Sequence, residues 1–283
     1  MEKWDQQIVK TDRGCFEIFT KGKGDPVCVS HHYSQFNASG DHFAGQFLPG
    51  YKVYLVNLKG AGNSDAEEDE HELSMVEAVK DLEAVRESLK IRKWTFAGHS
   101  TGGMIGILYG IMASSSLNAL IIVSAASSQY AESPRCIYNP DHPNFQKMQD
   151  LFEELKQPGL AVEKKKEIAS GRMKLQLYKP ENYQQYISPS VNKNLSSKRL
   201  NYFSIYEYGE FDLTDRLSEI KVPTLVICGK HDVACPAPYS EEINQGVQGS
   251  VLKLFKESNH YPFLEEKELF KETVEEFLET TLL

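Results

Sequence analysis

The hexapeptide Gly98-His99-Ser100-Thr101-Gly102-Gly103 lies between a β-type run, Lys93-Trp94-Thr95-Phe96-Ala97, and a helix-type run over residues 104–114. Its first five residues spell Gly-x-Ser-x-Gly at a strand-to-helix junction, and that spelling fixes the local geometry. A turn this tight leaves no room for a Cβ two residues to either side of Ser100, which accounts for Gly98 and Gly102. The serine is pushed out of the turn, and the helix that follows directs free backbone N–H groups toward the same place. Such donors stabilise the negative charge that forms on oxygen when a serine hydroxyl adds to a carbonyl.

Around this junction strands and helices alternate. Residues 7–10 and 15–20 read as strands joined by the turn Thr11-Asp12-Arg13-Gly14, the antiparallel start of a sheet. Residues 27–30 are short and continuously apolar, as a strand covered on both faces should be, and run into His31-His32-Tyr33-Ser34. The strand at 51–57 leads into Lys59-Gly60-Ala61-Gly62-Asn63-Ser64, which matches no phosphate-binding loop. Residues 73–89 have helical period, with Met75, Val76, Val79, Leu82, Val85 and Leu89 on one face, and 119–123 is again a strand. This rhythm predicts a parallel sheet covered on both sides.

The rhythm stops between about Ser127 and Asp212, where helices are expected over 145–155, 161–177 and 195–208 and tyrosines are dense. It resumes with strands at 224–228 and 251–255 and an amphipathic helix over 263–278. The expected division is a core of residues 1–126 and 213–283 with a helical cap, 127–212, inserted after a strand.

Composition narrows the partners. A chain of 283 residues is long enough to bury a large core. Its net charge of -9 provides no basic excess to neutralise phosphates, so neither nucleic acid nor an anionic membrane is an expected partner. The opening Met1-Glu2-Lys3-Trp4-Asp5-Gln6-Gln7 lacks the apolar centre of a signal peptide, and the longest apolar stretch, 104–113, is too short to span a bilayer. Five cysteines, an odd number without Cys-x-x-Cys spacing, suggest buried thiols in a reducing cytoplasm rather than a disulfide framework or zinc site.

Two later stretches complete the pattern. Asp232 lies in Gly229-Lys230-His231-Asp232-Val233-Ala234-Cys235-Pro236, directly after the strand at 224–228, and His260 lies in Ser258-Asn259-His260-Tyr261-Pro262, after the last strand. With Ser100, these residues resemble the α/β-hydrolase superfamily, which carries Ser, Asp and His in that order along the whole chain. The resemblance implies an α/β-hydrolase fold, a mostly parallel central sheet covered by helices with an inserted helical cap, and a catalytic triad of Ser100, His260 and Asp232. A neutral serine hydroxyl needs a base, which imidazole supplies near neutral pH, and a carboxylate fixes the tautomer of that imidazole. Asp212 and Asp215 are the rival acids, but they precede the strand; His231 adjoins the acid and His99 points beneath the turn.

The family's His-Gly-x triplet corresponds here to His31-His32-Tyr33, with His32 in the glycine position, and the resemblance assigns the oxyanion-binding N–H groups to Tyr33 and Thr101. A serine in place of a nucleophilic aspartate speaks against epoxide hydrolases and haloalkane dehalogenases and for acyl transfer to water. The stretch 211–225 looks like the proline iminopeptidases, although those enzymes typically have tryptophan where this chain has Thr101. The expected substrate is thus a small molecule or short peptide, with an ester, a lactone or an N-terminal peptide bond as the scissile group. Recognising an N-terminal amine requires a carboxylate, for which Glu207 and Glu210, with neighbouring Tyr206, are the candidates at the end of the cap. A ligand receptor that keeps the fold without catalysis is the alternative. No ligand cluster or cofactor loop stands out, so no metal or cofactor is expected. Hydrolysis measured before and after chelator treatment should therefore be unchanged, and activity lost to the chelator and restored by zinc would count against this reading.

Overall fold

The computed structural model describes residues 3–48, 50–155, 157 and 159–282. Strands β1 (Asp5–Thr11) and β2 (Gly14–Lys21) form the amino-terminal hairpin. They are followed by β3 (Pro26–Val29), the two-residue β4 (Ser34–Gln35), β5 (Lys52–Val56), β6 (Trp94–His99) and β7 (Leu117–Val123). After a long excursion come the short β8 (Asn194–Leu195), then β9 (Thr224–Gly229) and β10 (Val251–Phe255). Eight of these share one sheet in the order β1-β2-β5-β3-β6-β7-β9-β10. The β1–β2 and β2–β5 pairs are antiparallel and all others in this sheet are parallel.

The alternation of side chains along the central strands explains why helices cover both faces. Trp94 and Phe96 of β6 and Leu120 and Ile122 of β7 point to one face, where they meet α1 (Met75–Ser88) and α2 (Thr101–Ala113). Ala97, Ala119, Ile121, Leu225 and Ile227 point to the other and meet Phe270, Val274 and Leu278 of the carboxy-terminal helix. Each fully buried leucine, isoleucine, valine or phenylalanine among them contributes about 1.5–3 kcal/mol. Helix α1 starts where Ser74 accepts a hydrogen bond from the N–H of Glu77, as a Ser-x-x-Glu cap should.

Between β7 and β9 the chain leaves the sheet for α3 (Phe145–Leu155), α4 (Val162–Lys174), α5 (Tyr183–Tyr186) and α6 (Ser197–Tyr202). The single helix expected over 195–208 is broken. Leu195 pairs as a strand with Ser34, Ser196 caps α6, and from Phe203 to Glu207 the backbone widens into a π turn. The last helix is also divided, into α8 (Pro262–Glu265) and α9 (Lys267–Leu282), with α7 (Ala237–Gly246) preceding β10. The break falls at Glu266, whose carboxylate accepts bonds from Ser258 Oγ (2.7 Å) and the N–H of Glu257 (2.9 Å). No helix among the described residues is long and apolar enough to cross a membrane.

Two close approaches of main chain against main chain position the ends of β6 and β9. A Cβ built on Gly98 would lie 2.1 Å from the carbonyl oxygen of Gly102, so strand and helix touch where Ser100 turns between them. A Cβ on Gly229 would lie 2.0 Å from the carbonyl oxygen of Asn259, so the strand before Asp232 rests directly on the loop that carries His260. Since main chain cannot yield as a flexible side chain can, Gly229→Ala should destabilise the protein by about 3 kcal/mol or more, the upper part of the overpacking range. Gly209, whose Cβ would meet nothing, is the control. Chemical denaturation of both variants checks this, with the midpoint displaced only for Gly229→Ala.

Candidate active site

Ser100 is the residue at which β6 becomes α2, and its backbone is held at φ 56°, ψ −124°. This is a conformation that non-glycine residues adopt rarely and at a cost. It is held from both sides. The N–H of Ser100 donates to the carbonyl of Val123 at the end of β7 (2.9 Å), and its carbonyl accepts from Gly103 (2.8 Å) and Met104 (3.1 Å). Thr101 opens α2, so its own N–H has no acceptor within the helix.

The loops after β9 and β10 converge on the same edge of the sheet. Asp232 and His260 are both buried, and His260 Nδ1 lies 3.0 Å from Oδ2 and 3.1 Å from Oδ1 of Asp232. The carboxylate is fixed independently of the imidazole, because Oδ1 also accepts from the N–H groups of Ala234 and Cys235, each at 2.8 Å. The loops are tied to each other where the N–H of Val233 donates to Asn259 Oδ1 (2.9 Å). His99, next to Ser100, donates from Nε2 to the carbonyl of His260 (2.8 Å), which joins the serine turn to the histidine loop. Burial holds the His99 imidazole well below its ordinary value, so it is a neutral donor.

On the other side of Ser100 stands the turn after β3. His31 Nε2 lies 3.3 Å from Thr101 Oγ1, and burial lowers the His31 imidazole well below the ordinary range. The N–H of Tyr33 lies 3.4 Å from His31 Nδ1, a weak partner. His32, fully buried, points away from Ser100. Its Nε2 lies 3.0 Å from Glu207 Oε2, and its Nδ1 lies 3.3 Å from a guanidinium nitrogen of Arg199. Arg199 itself is completely buried and donates to the carbonyls of His32, Lys59 (3.0 Å) and Leu73 (3.0 Å). Burial pulls its guanidinium down to about 10.

A model of the family described as alpha/beta hydrolase fold matches residues 27–267. The chain belongs to the α/β-hydrolase fold family. Among solved structures it is similar to an alpha/beta fold family hydrolase from Bacillus anthracis, with 40% identity, 99% of each chain covered and a TM-score of 0.93. It is also similar to an esterase from Exiguobacterium antarcticum, with 26% identity, 97% of this chain and 100% of that one covered, and a TM-score of 0.73. A curated relative, a proline iminopeptidase from Saccharolobus solfataricus, is 26% identical over 81% of this chain and 76% of its own length.

The three residues put forward for substrate binding at the end of the inserted segment lie in different surroundings. Glu207 is a cap and a brace: Oε1 accepts from the N–H of Met75 at the start of α1 (2.7 Å), and Oε2 faces His32. It lies at the end of the π turn over Phe203–Glu207. Glu210 is exposed, and Tyr206 is 56% exposed and packs on Tyr202. Sequence reasoning missed Arg199, which in the run Ser197-Lys198-Arg199-Leu200 looks like one more surface cation. It also missed Gln176, whose carbonyl accepts from the N–H of His260 (3.2 Å). Its Oε1 accepts from the Tyr261 hydroxyl (3.2 Å) and its Nε2 donates to the Tyr138 hydroxyl (3.1 Å). Neither residue belongs to a motif, because its partners come from distant parts of the chain.

Burial, helped by the Arg199 charge and opposed by Glu207, lowers His32 to about 4. In the unfolded chain this imidazole takes a proton near 6.5, and in the folded protein only near 4. Between those values the unfolded state binds more protons, so stability is complete above about pH 6.5 and is lost as the pH falls toward 4. The loss from this group should be on the order of 2–3 kcal/mol. Denaturation curves at pH 7 and pH 5 measure it, and His32→Gln should flatten the dependence.

Proposed function

We propose that this protein is a serine hydrolase in which Ser100 is the nucleophile, His260 the general base and Asp232 the residue that orients it. The observation that carries the reading is the buried His260–Asp232 pair, its loop hydrogen-bonded through His99 to the turn that presents Ser100. Residues 1–126 and 213–283 act as the hydrolase core and 127–212 as a helical cap over the site. Five free thiols support a reducing compartment, the cytoplasm.

The chemistry follows from the parts. Ser100 Oγ adds to the substrate carbonyl while His260 Nε2 takes its proton, and Asp232 stabilises the imidazolium through Nδ1. The oxyanion sits against the N–H groups of Thr101, at the free start of α2, and Tyr33. Collapse of this intermediate expels the leaving group, which receives the proton from His260, and leaves an acyl-serine. Water, deprotonated by the same imidazole, then releases the acid and restores Ser100.

Support is better for an ester or lactone than for an N-terminal peptide bond. The carboxylate suited to holding a cationic amine, Glu207, is engaged with Met75 and His32. The proline iminopeptidase relatives favour the peptide reading, and Pro-p-nitroanilide tests it beside p-nitrophenyl esters. A fluorophosphonate should label Ser100, and Ser100→Ala should abolish labelling and lower kcat by about 10⁴-fold to 10⁶-fold. A protein that is never labelled and turns nothing over is a receptor. Asp232→Asn should cost roughly 10⁴ in kcat, because the amide favours the wrong tautomer, and Asp215→Asn far less; the reverse ranking would move the acid to Asp215.

A further inference from the structure

We propose that Arg172 receives an anionic group of the substrate, a carboxylate carried at the end remote from the scissile carbonyl. The proposal rests on the reading of Ser100, His260 and Asp232 given above and adds the substrate class.

Arg172 lies on α4 four residues after the buried Ile168, so the two share the inward face of the helix. Its guanidinium carbon is 3.9 Å from the centroid of the Phe152 ring on α3, and that ring is 6.3 Å from the ring of Tyr138. Tyr138 is bonded to Gln176, and Gln176 to Tyr261 and to the main chain of His260. Arg172 therefore stands at the outer end of a run of contacts that finishes at His260. Burial raises the phenols of Tyr33, Tyr138 and Tyr261, and the positive charge of Arg172 opposes that rise at all three. Tyr33 follows the turn beside Thr101, Tyr261 follows His260, and Tyr138 comes from the inserted segment, so one cation acts on rings contributed from three sides of the site.

What sets Arg172 apart among the arginines is an enclosed guanidinium nitrogen, Nε, that nothing among the described residues satisfies. No carboxylate among those residues forms an ion pair with this side chain. Arg13 and Arg86, by contrast, are each bound to carboxylates, and Arg199 has its three carbonyls. An enclosed donor without an acceptor is costly. The face of Phe152 offsets part of the cost, but a ring face leaves the N–H groups at the guanidinium edge unused. That edge is a planar fork matched to a carboxylate. The same charge repels a cationic amine, which adds to the case against an aminopeptidase.

The test compares mono-p-nitrophenyl adipate with p-nitrophenyl hexanoate, esters of equal acyl length that differ in the terminal carboxylate. The full-length protein should prefer the adipate ester by about tenfold or more in kcat/KM, the effect of one charged hydrogen bond. Arg172→Met should remove that preference through KM and leave the hexanoate within about twofold, while Arg172→Lys should retain part of it, as a point charge without the fork. Absence of a preference in the unaltered protein, or an equal loss on both esters, would overturn the proposal. If neither ester is cleaved, fluorophosphonate labelling of Ser100 decides the hydrolase reading, and calorimetry with adipic acid monoamide and hexanamide decides Arg172 alone. Tighter binding of the acid that Arg172→Met abolishes supports the arginine, and equal binding of the two overturns it.

Discussion

Ser100 at φ 56° carries a backbone cost of about 1–3 kcal/mol, and much of the surrounding architecture can be understood as what keeps that cost from relaxing. β6 is buried along its whole length, α2 is buried along nearly all of its own, and neither can shift without opening the core between them. The bond from Ser100 to Val123 ties the turn to the neighbouring strand, and the close approach of Gly98 to Gly102 sets the angle at which strand becomes helix. A conformation that no local preference favours is imposed by tertiary packing, and the side chain it projects remains partly open to solvent while its neighbours are sealed.

The polar groups around this turn divide into two kinds. Asp232, His99 and His260 are joined to one another and to main chain by short direct bonds, so each has a partner whether or not a ligand is present. The second kind braces the turn after β3. Arg199 sits among carbonyl oxygens, with the imidazole of His32 beside it and Glu207 on the far side of that ring. A guanidinium and a carboxylate on opposite edges of one buried neutral ring fix its orientation, and through it the backbone that leads to Tyr33. In this way the position where the family's triplet has glycine is occupied by a large side chain that has become a strut.

Much of this was legible in the sequence, and the reason is local. Gly98, Ser100 and Gly102 encode their turn by themselves, and Asp232 and His260 are recognisable by their placement after apolar runs that make good strands. The mostly parallel sheet covered on both faces followed from the alternation of strands and helices, whereas the strand order was not legible. The errors lie where long-range contacts override local preference. The periodicity over 195–208 is helical, yet Leu195 pairs with Ser34 across the fold, and the widening after Phe203 has no local sequence cause. Glu207 looked like a free carboxylate because its partners, Met75 and His32, lie more than a hundred residues away in the chain. Arg199 and Gln176 gave no signal for the same reason.

The contact between Gly229 and the Asn259 carbonyl has a bearing on how such a site tolerates sequence drift. The spacing between the chain that bears the acid and the chain that bears the imidazole is the thickness of two polypeptide backbones in touch. No side chain lies between them to be enlarged, trimmed or rotated. Apolar residues in the layer beneath, such as Val226, Ile227 and Phe255, can be exchanged for others of similar bulk with the usual modest loss of stability. The distance from carboxylate to ring is insulated from those exchanges, as a machine tolerance set by a hard stop is insulated from wear in the parts around it.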